Sequence, residues 1–198
     1  MSLYSGPELD KNQANFAPLT PVSVLKRTER VYPDLPAQVH GSIRRSWGEV
    51  AERCKRLASA LSKRGVGKGD TVALIAPNTP EALECTLAIP MLGAVLNANN
   101  VRLDSATLGF ILKHGEARVL LVDTEFSALA RAAVSHYGRD LFIVDIEDTE
   151  GPGGACIGEL TYENLLAEGE ADFPQRPRRR RSSRRPSGAG AGGSGRWR

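Results

Sequence analysis

The sequence predicts an α/β fold, an open and mostly parallel sheet with helices on both faces, followed by a disordered basic tail. Three observations predict it. Short apolar runs, Thr71–Ala76 (TVALIA), Arg118–Val122 (RVLLV) and Leu141–Val144 (LFIV), sit between turn signals, the pattern of strands covered on both sides. Helical segments opened by capping residues alternate with them. The stretch Gly65–Asp104 reads as turn, buried strand, helix, second strand and the start of another helix, which at that length is a parallel crossover unit.

The elements follow in order. Met1–Leu19 is polar and turn-rich and is expected to wrap the surface. Thr20–Pro21 opens a helix with a hydroxyl cap and a proline at the first helical position. Its apolar face is read as Val24, Leu25, Thr28 and Val31, and Pro33 ends it. Ala37–Val39 and Ile43–Arg45 flank His40-Gly41-Ser42, the pattern of a hairpin. Ser46-Trp47-Gly48-Glu49 is a capping box, and the stripe Trp47, Val50, Ala51, Cys54, Leu57, Ala58, Leu61 marks a core-facing helix that stops at Gly65. Arg53, Lys55, Arg56, Lys63 and Arg64 are read as its solvated face.

Thr79-Pro80 opens the next helix, Gly93 closes it, and Ala94–Ala98 returns to the sheet. Pro77 keeps the preceding strand short. Asp104 caps a helix through His114 whose apolar side is read as Ala106, Leu108, Phe110, Ile111 and Leu112. Thr124–Tyr137 is read as one helix, Asp145–Gly158 as an acidic, glycine-rich solvated loop, and Thr161–Ala167 as a short capped helix.

Charge divides the chain in two. Nine of its 26 basic residues are the arginines of residues 176–198, a segment without acid. That leaves 17 basic against 23 acidic residues in the rest, a net of −6. The expected domains are therefore 1–173, a folded body, and 174–198, an Arg/Gly/Pro/Ser-rich tail with almost nothing to bury. Cys54, Cys85 and Cys156 lie far apart, so no disulfide is expected and the compartment is a reducing one. No leader and no run near the ~18 apolar residues of a membrane span is found, and the cytoplasm is the expected location.

With these elements placed, the body resembles the amino-terminal part of an adenylate-forming, AMP-binding ligase of the acyl-CoA synthetase type. The resemblance runs from about Asn15 to Phe173. It is carried by APLTPVSVLKRTERVYPD, VHGSIRRSWGEV, RCKRLASALSKRGVGKGDTVALIAPNTPE, PMLGAVLNANNVRLD and LGFILKHGEARVLLVD. Ser46–Val50 resembles the family's first core motif and Met91–Asp104 its second. Bacterial and plant ligases for short- or medium-chain fatty, aryl or related acids are the most similar in detail. The resemblance implies two-step chemistry. ATP and a carboxylic acid give an acyl-adenylate and pyrophosphate, with Mg2+ on the phosphates, and coenzyme A then takes the acyl group.

The family's phosphate loop, Thr-Glu pair, ribose-binding Asp and late Lys have no counterpart in these residues. No catalytic, cofactor-binding or metal residue is therefore assigned. The chain is expected to stop before the phosphate loop and to be inactive alone. The composition of residues 174–198 matches a GC-rich reading frame read out of phase. Two other functions are weighed: a module whose Arg-rich tail binds nucleic acid or an acidic partner, and a regulatory fragment that pairs with a full-length ligase through an open sheet edge. Nucleic acid is the less favoured, because the tail lacks interleaved aromatics.

Residue by residue, the plain reading prevails. Gly65–Asp70 lies between helix and strand, and Gly follows Lys68, so it is a helix-stop turn and no phosphate loop. His40, His114 and His136 lack metal spacing. Cys54 and Cys85 fall on apolar stripes and are read as core. Asp145–Glu150 lacks the periodic ligands of a calcium loop. Asn97, Asn99 and Asn100 are read as loop-fixing hydrogen-bonders.

Overall fold

Caps decide where the helices begin. In the computed structural model, which describes residues 10, 12 and 16–174, Thr20 and Ser46 each form a reciprocal capping box, with Ser23 and Glu49. Thr79, Asp104 and Thr161 each accept one amide of the first turn. Those caps open α1 (Pro21–Val31), α2 (Trp47–Lys63), α3 (Pro80–Met91), α4 (Ser105–His114) and α6 (Tyr162–Ala167). A 3-10 turn, Thr124–Phe126, leads into α5 (Ser127–Tyr137), which breaks the single helix expected there. The strands are β1 (Pro36–His40), β2 (Ile43–Ser46), β3 (Thr71–Ile75), β4 (Val95–Ala98), β5 (Ala117–Asp123), β6 (Phe142–Ile146) and β7 (Leu160–Thr161). The two-residue strand β7 has no sequence signal of its own. Residues 175–198 of the expected tail, and residues 1–9, 11 and 13–15, lie outside the described residues.

β1 and β2 form an antiparallel hairpin, with Gly41 at φ +51° in its turn. The other five strands form one parallel sheet in the order β4-β3-β5-β6-β7. The alternation of side chains splits its core into two layers. Val72 and Leu74 of β3 and Val119 and Leu121 of β5 join Leu25, Leu57, Cys85, Ile89, Tyr162 and Leu165, under α1, α2, α3 and α6. Ala73, Ile75, Leu120 and Val122 face α4 and α5 on the opposite side, against Leu108, Leu112, Ala130 and Ala133. The residues between them, Val72 to Ile75 and Val119 to Val122, are buried throughout, which is why these strands read as unbroken apolar runs.

α4 and α5 approach closely. A Cβ on Gly109 would lie 2.5 Å from His136 Cβ and 2.8 Å from the Ala133 carbonyl oxygen. This contact corrects the expected face of α4: Leu108 and Leu112 are buried, but Phe110 is 65 % exposed and stacks on His114. α1 needs the same correction. Leu25 is buried and Val22 packs beside it, whereas Val24 and Val31 are half exposed. The stripe of α2 is as expected, with every member buried except Trp47, which is partly so. Cys54 and Cys85 are core thiols and Cys156 is exposed; all three are free. Among the described residues no helix is long and apolar enough to cross a membrane.

Candidate functional site at the carboxyl ends of the strands

The sheet order creates a crevice. The chain leaves β3 through α3 toward β4, and leaves β5 through α5 in the opposite direction toward β6, with the two helices on opposite faces. The carboxyl ends of β3 and β5 are therefore where the connections part, the usual ligand position in open parallel sheets.

On the β4 side of that point three segments come together. The loop after β3 carries Asn78 and Thr79, whose hydroxyl accepts the Ala82 amide at 3.4 Å. The loop after β4 is fixed by Asn99, whose Nδ2 donates to the Asn97 carbonyl at 2.9 Å, and by Asn100, which accepts the Arg102 amide at 2.9 Å. These two match the loop-fixing role read from sequence. The hairpin closes the outer side, held by Gln38 Nε2 donating to the Pro80 carbonyl at 2.9 Å. Between them lies a groove of about 540 Å³, mainly apolar, lined by Val39, Leu74, Ala76, Leu83 and Ala98 with Asn78, Thr79, Asn99 and His40. Its size and lining suit a small organic ligand.

Asp145–Gly158 corrects the sequence reading. It is not simply a solvated loop. Asp145 and Ile146 are still strand and buried. The Asp145 carboxylate accepts the amides of Ile157 at 3.0 Å and Gly158 at 2.8 Å, and so pins the far end of the loop to the sheet. Asp148 meets His40 Nε2 at 3.0 Å, and Glu150 accepts the Ser42 amide at 2.7 Å as well as its hydroxyl. Those two bonds hold the Glu150 carboxyl below its ordinary pKa. Gly154 lies flat on the end of β5, where a Cβ would fall 1.9 Å from the Thr124 carbonyl oxygen. The segment 147–158 is thus a strap between β6 and the hairpin tip, and His40 is its clasp.

The basic face of α2 also departs from the sequence reading. Arg53 Nε donates to Glu84 at 2.8 Å and its terminal nitrogens to Glu163 at 2.6 and 3.0 Å. Arg45 reaches the same Glu84 oxygen at 2.9 Å and Glu81 at 3.0 Å, and the Tyr162 hydroxyl donates to the other Glu84 oxygen at 2.9 Å. Glu84 is fully buried; desolvation raises its pKa, against the pull of the two guanidiniums and the phenol. Lys55 pairs with Glu29, Arg56 with Glu52, Lys63 with Glu170 and Arg64 with Glu168. None of the five cations is left to solvent alone. Local spacing shows only the Arg56–Glu52 pair, four residues apart; the partners of Arg53 lie 31 and 110 residues away.

Gly65–Asp70 is the plain turn expected. The Gly67 amide is taken by the Asp70 carboxylate at 2.8 Å, which also receives Arg118 at 2.9 Å, and the amides of Gly65, Val66, Gly69 and Asp70 go to backbone carbonyls. Among the described residues no group of three His, Cys, Asp or Glu is placed to hold a metal ion.

Residues 25–167 match the sequence profile of the family described as AMP-binding enzyme. A peroxisomal acetate/butyrate–CoA ligase of Arabidopsis thaliana is 39 % identical over 182 residues, covering 86 % of this chain and 32 % of that protein. An acetate–CoA ligase of Humulus lupulus is 37 % identical with the same coverage. A peroxisomal benzoate–CoA ligase of Arabidopsis thaliana is 38 % identical, covering 80 % of this chain and 28 % of its own length. Among solved structures, an anthranilate CoA ligase in complex with anthranoyl-AMP superposes with a TM-score of 0.72 at 23 % identity. It covers 80 % of this chain and 30 % of its own, and so speaks for the fold. The chain spans about a third of the length of the curated relatives it matches.

Proposed function

The chain belongs to the AMP-binding enzyme family, and on that premise we propose that it supplies the amino-terminal scaffold of an acyl-CoA ligase. The observation that carries this is the match through residues 25–167, which runs unbroken from α1 to α6. The reaction served is activation of a carboxylic acid by ATP, with release of pyrophosphate, followed by transfer of the acyl group to coenzyme A. Acetate, butyrate and benzoate stand in the names of the relatives, and a short fatty or aryl acid is the substrate class we favour. The proposed division is a folded body, residues 1–173, and a separate basic segment, 174–198.

The described residues do not fit the nucleotide or its Mg2+. Among the described residues the glycine-rich turn Gly65–Gly69 has its Gly67 amide closed on Asp70, and no carboxylate set suits the cation. No chemical step is therefore assigned to this chain. Its part is to hold the sheet, through the Arg45–Glu84–Arg53 tie, so that the groove beside β3 keeps its shape. The test is pyrophosphate release from ATP, Mg2+ and acetate, butyrate or benzoate. We expect background rates from the 198-residue chain and turnover once the remaining two thirds of a relative is supplied. Turnover by the chain alone would overturn the scaffold reading.

One observation favours a second reading, a fragment that pairs with another ligase chain. Of the ten exposed large apolar residues among the described ones, seven fall between Phe16 and Val39, and β4 carries Val95 on an open sheet edge. Co-elution with an intact ligase supports that reading; elution as a monomer in its presence removes it. A nucleic-acid role would rest on the Arg-rich segment, which lies outside the described residues, and is not proposed. The free cysteines favour the cytoplasm; peroxisomal import, as in the names of two relatives, is the competing address, and imaging of a tagged chain separates them.

A further inference from the structure

The end of β5 holds a group that the scaffold reading does not use. Asp123 is 2 % exposed; its Oδ1 accepts the Glu125 amide at 2.9 Å, and its Oδ2 has no partner among the described residues. Burial disfavours its charge first. Asp148 from the strap, Glu125 from the turn after β5 and Glu81 from the first turn of α3 add to that, and the pKa of Asp123 is raised. The cations that face these acids pair with them and not with Asp123. His40 of β1 faces Asp148 at 3.0 Å, and Arg45 of β2 and Arg53 of α2 face Glu81 at 3.0 and 3.8 Å.

The strap over this point is fastened at few places. Asp145 holds its far end, Gly154 rests on the Thr124 carbonyl, and only the Asp148–His40 and Glu150–Ser42 contacts tie its middle to the hairpin. Closing it brings the Asp148 carboxylate toward Asp123. Lifting it returns Asp148 to water and admits water to Asp123.

We propose that residues 147–158 form a pH-sensitive strap across the crevice between β3 and β5, clasped to the hairpin while Asp123 beneath it holds a proton and lifted once Asp123 is ionised. The closed form binds that proton more tightly than the open one. Closure is therefore complete below the ordinary carboxylate value and is lost as pH rises from there to the raised value of Asp123. Across that window the closing equilibrium falls about tenfold per pH unit, because the two forms differ by one proton. Lifting the strap uncovers the position where open parallel sheets take their ligands.

Amide exchange at Ser42, whose amide bonds the strap's Glu150, followed by NMR from about pH 3.5 to about pH 8 and corrected for the intrinsic rate, tests this. In the unmodified chain, protection should fall about tenfold per pH unit over part of the range. Asp123→Asn should give high and flat protection. His40→Gln should lower protection at every pH but keep the slope. Gly154→Ala, whose Cβ would strike the Thr124 oxygen, should leave the strap lifted, with low, flat protection. A flat profile in the unmodified chain overturns the proposal. So does a slope that survives Asp123→Asn, one that vanishes in His40→Gln, or a Gly154→Ala profile equal to that of the unmodified chain.

Discussion

Glu84 and Asp123 are both buried carboxyls, and the molecule treats them in opposite ways. Glu84, on the helical side, has every oxygen engaged, by two guanidiniums and a phenol drawn from β2, α2 and α6. Asp123, at the strand ends, has one amide and otherwise faces carboxylates. The first arrangement ties four elements together and resists change. The second leaves a charge that the fold does not need, in a place that the chemistry of a bound group or a proton must complete. Burial alone does not say which role a carboxyl has; its partners do.

The largest test of this contrast is Glu84→Ala. It strips the shared acceptor from Arg45, Arg53 and Tyr162, and unfolding in urea should show a loss of about 3–5 kcal/mol. A loss under about 1 kcal/mol would mean that water serves the guanidiniums as well as Glu84 does. Next comes Asp145→Ala, on the strand beside Asp123. It leaves the Ile157 and Gly158 amides without their acceptor, with an expected loss of about 1–3 kcal/mol.

Asp123→Asn should act in the other direction. The amide keeps an acceptor for Glu125 and removes the uncompensated charge, so stability at neutral pH rises, by about 1.4 kcal/mol for each pH unit by which the native carboxyl is raised. The sign follows from the raised pKa. The folded state holds the proton more tightly, so the native residue contributes fully in acid and loses that contribution as pH rises through the folded value. The gain from the substitution should accordingly vanish near pH 4, as thermal melts at two pH values would reveal. The smallest effect is expected from Phe110→Ser on the outer face of α4. It touches neither carboxyl and should move stability by less than about 0.5 kcal/mol.

What the sequence made legible was local. Each cap is a residue and its neighbour three positions on, and Thr20, Ser46, Thr79, Asp104 and Thr161 all act as read. The two-sided burial of β3 and β5 was visible as unbroken apolar runs. The faces of α1 and α4 were less so, because Val24 and Phe110 have the right character but no element packs over them. The tie around Glu84 joins residues 45, 53, 84 and 162, and no period links those positions. The same holds for His40 and Asp148, 108 residues apart. Asp123 and Asp145 did leave a trace: an acid closing each of the runs RVLLVD and LFIVD, where an apolar residue would have served the core better.

The order in which the Glu84 partners occur along the chain has a consequence for synthesis. Arg45 and Arg53 leave the ribosome before the acid they hold, but Tyr162 follows it by 78 residues. A nascent polypeptide can therefore bring α2 and α3 together early, yet it cannot finish that junction until almost all of the sheet has been translated. A pause or an error before Tyr162 would leave one Glu84 oxygen without its phenol donor, with both guanidiniums already in place, and chaperones would meet that unfinished layer.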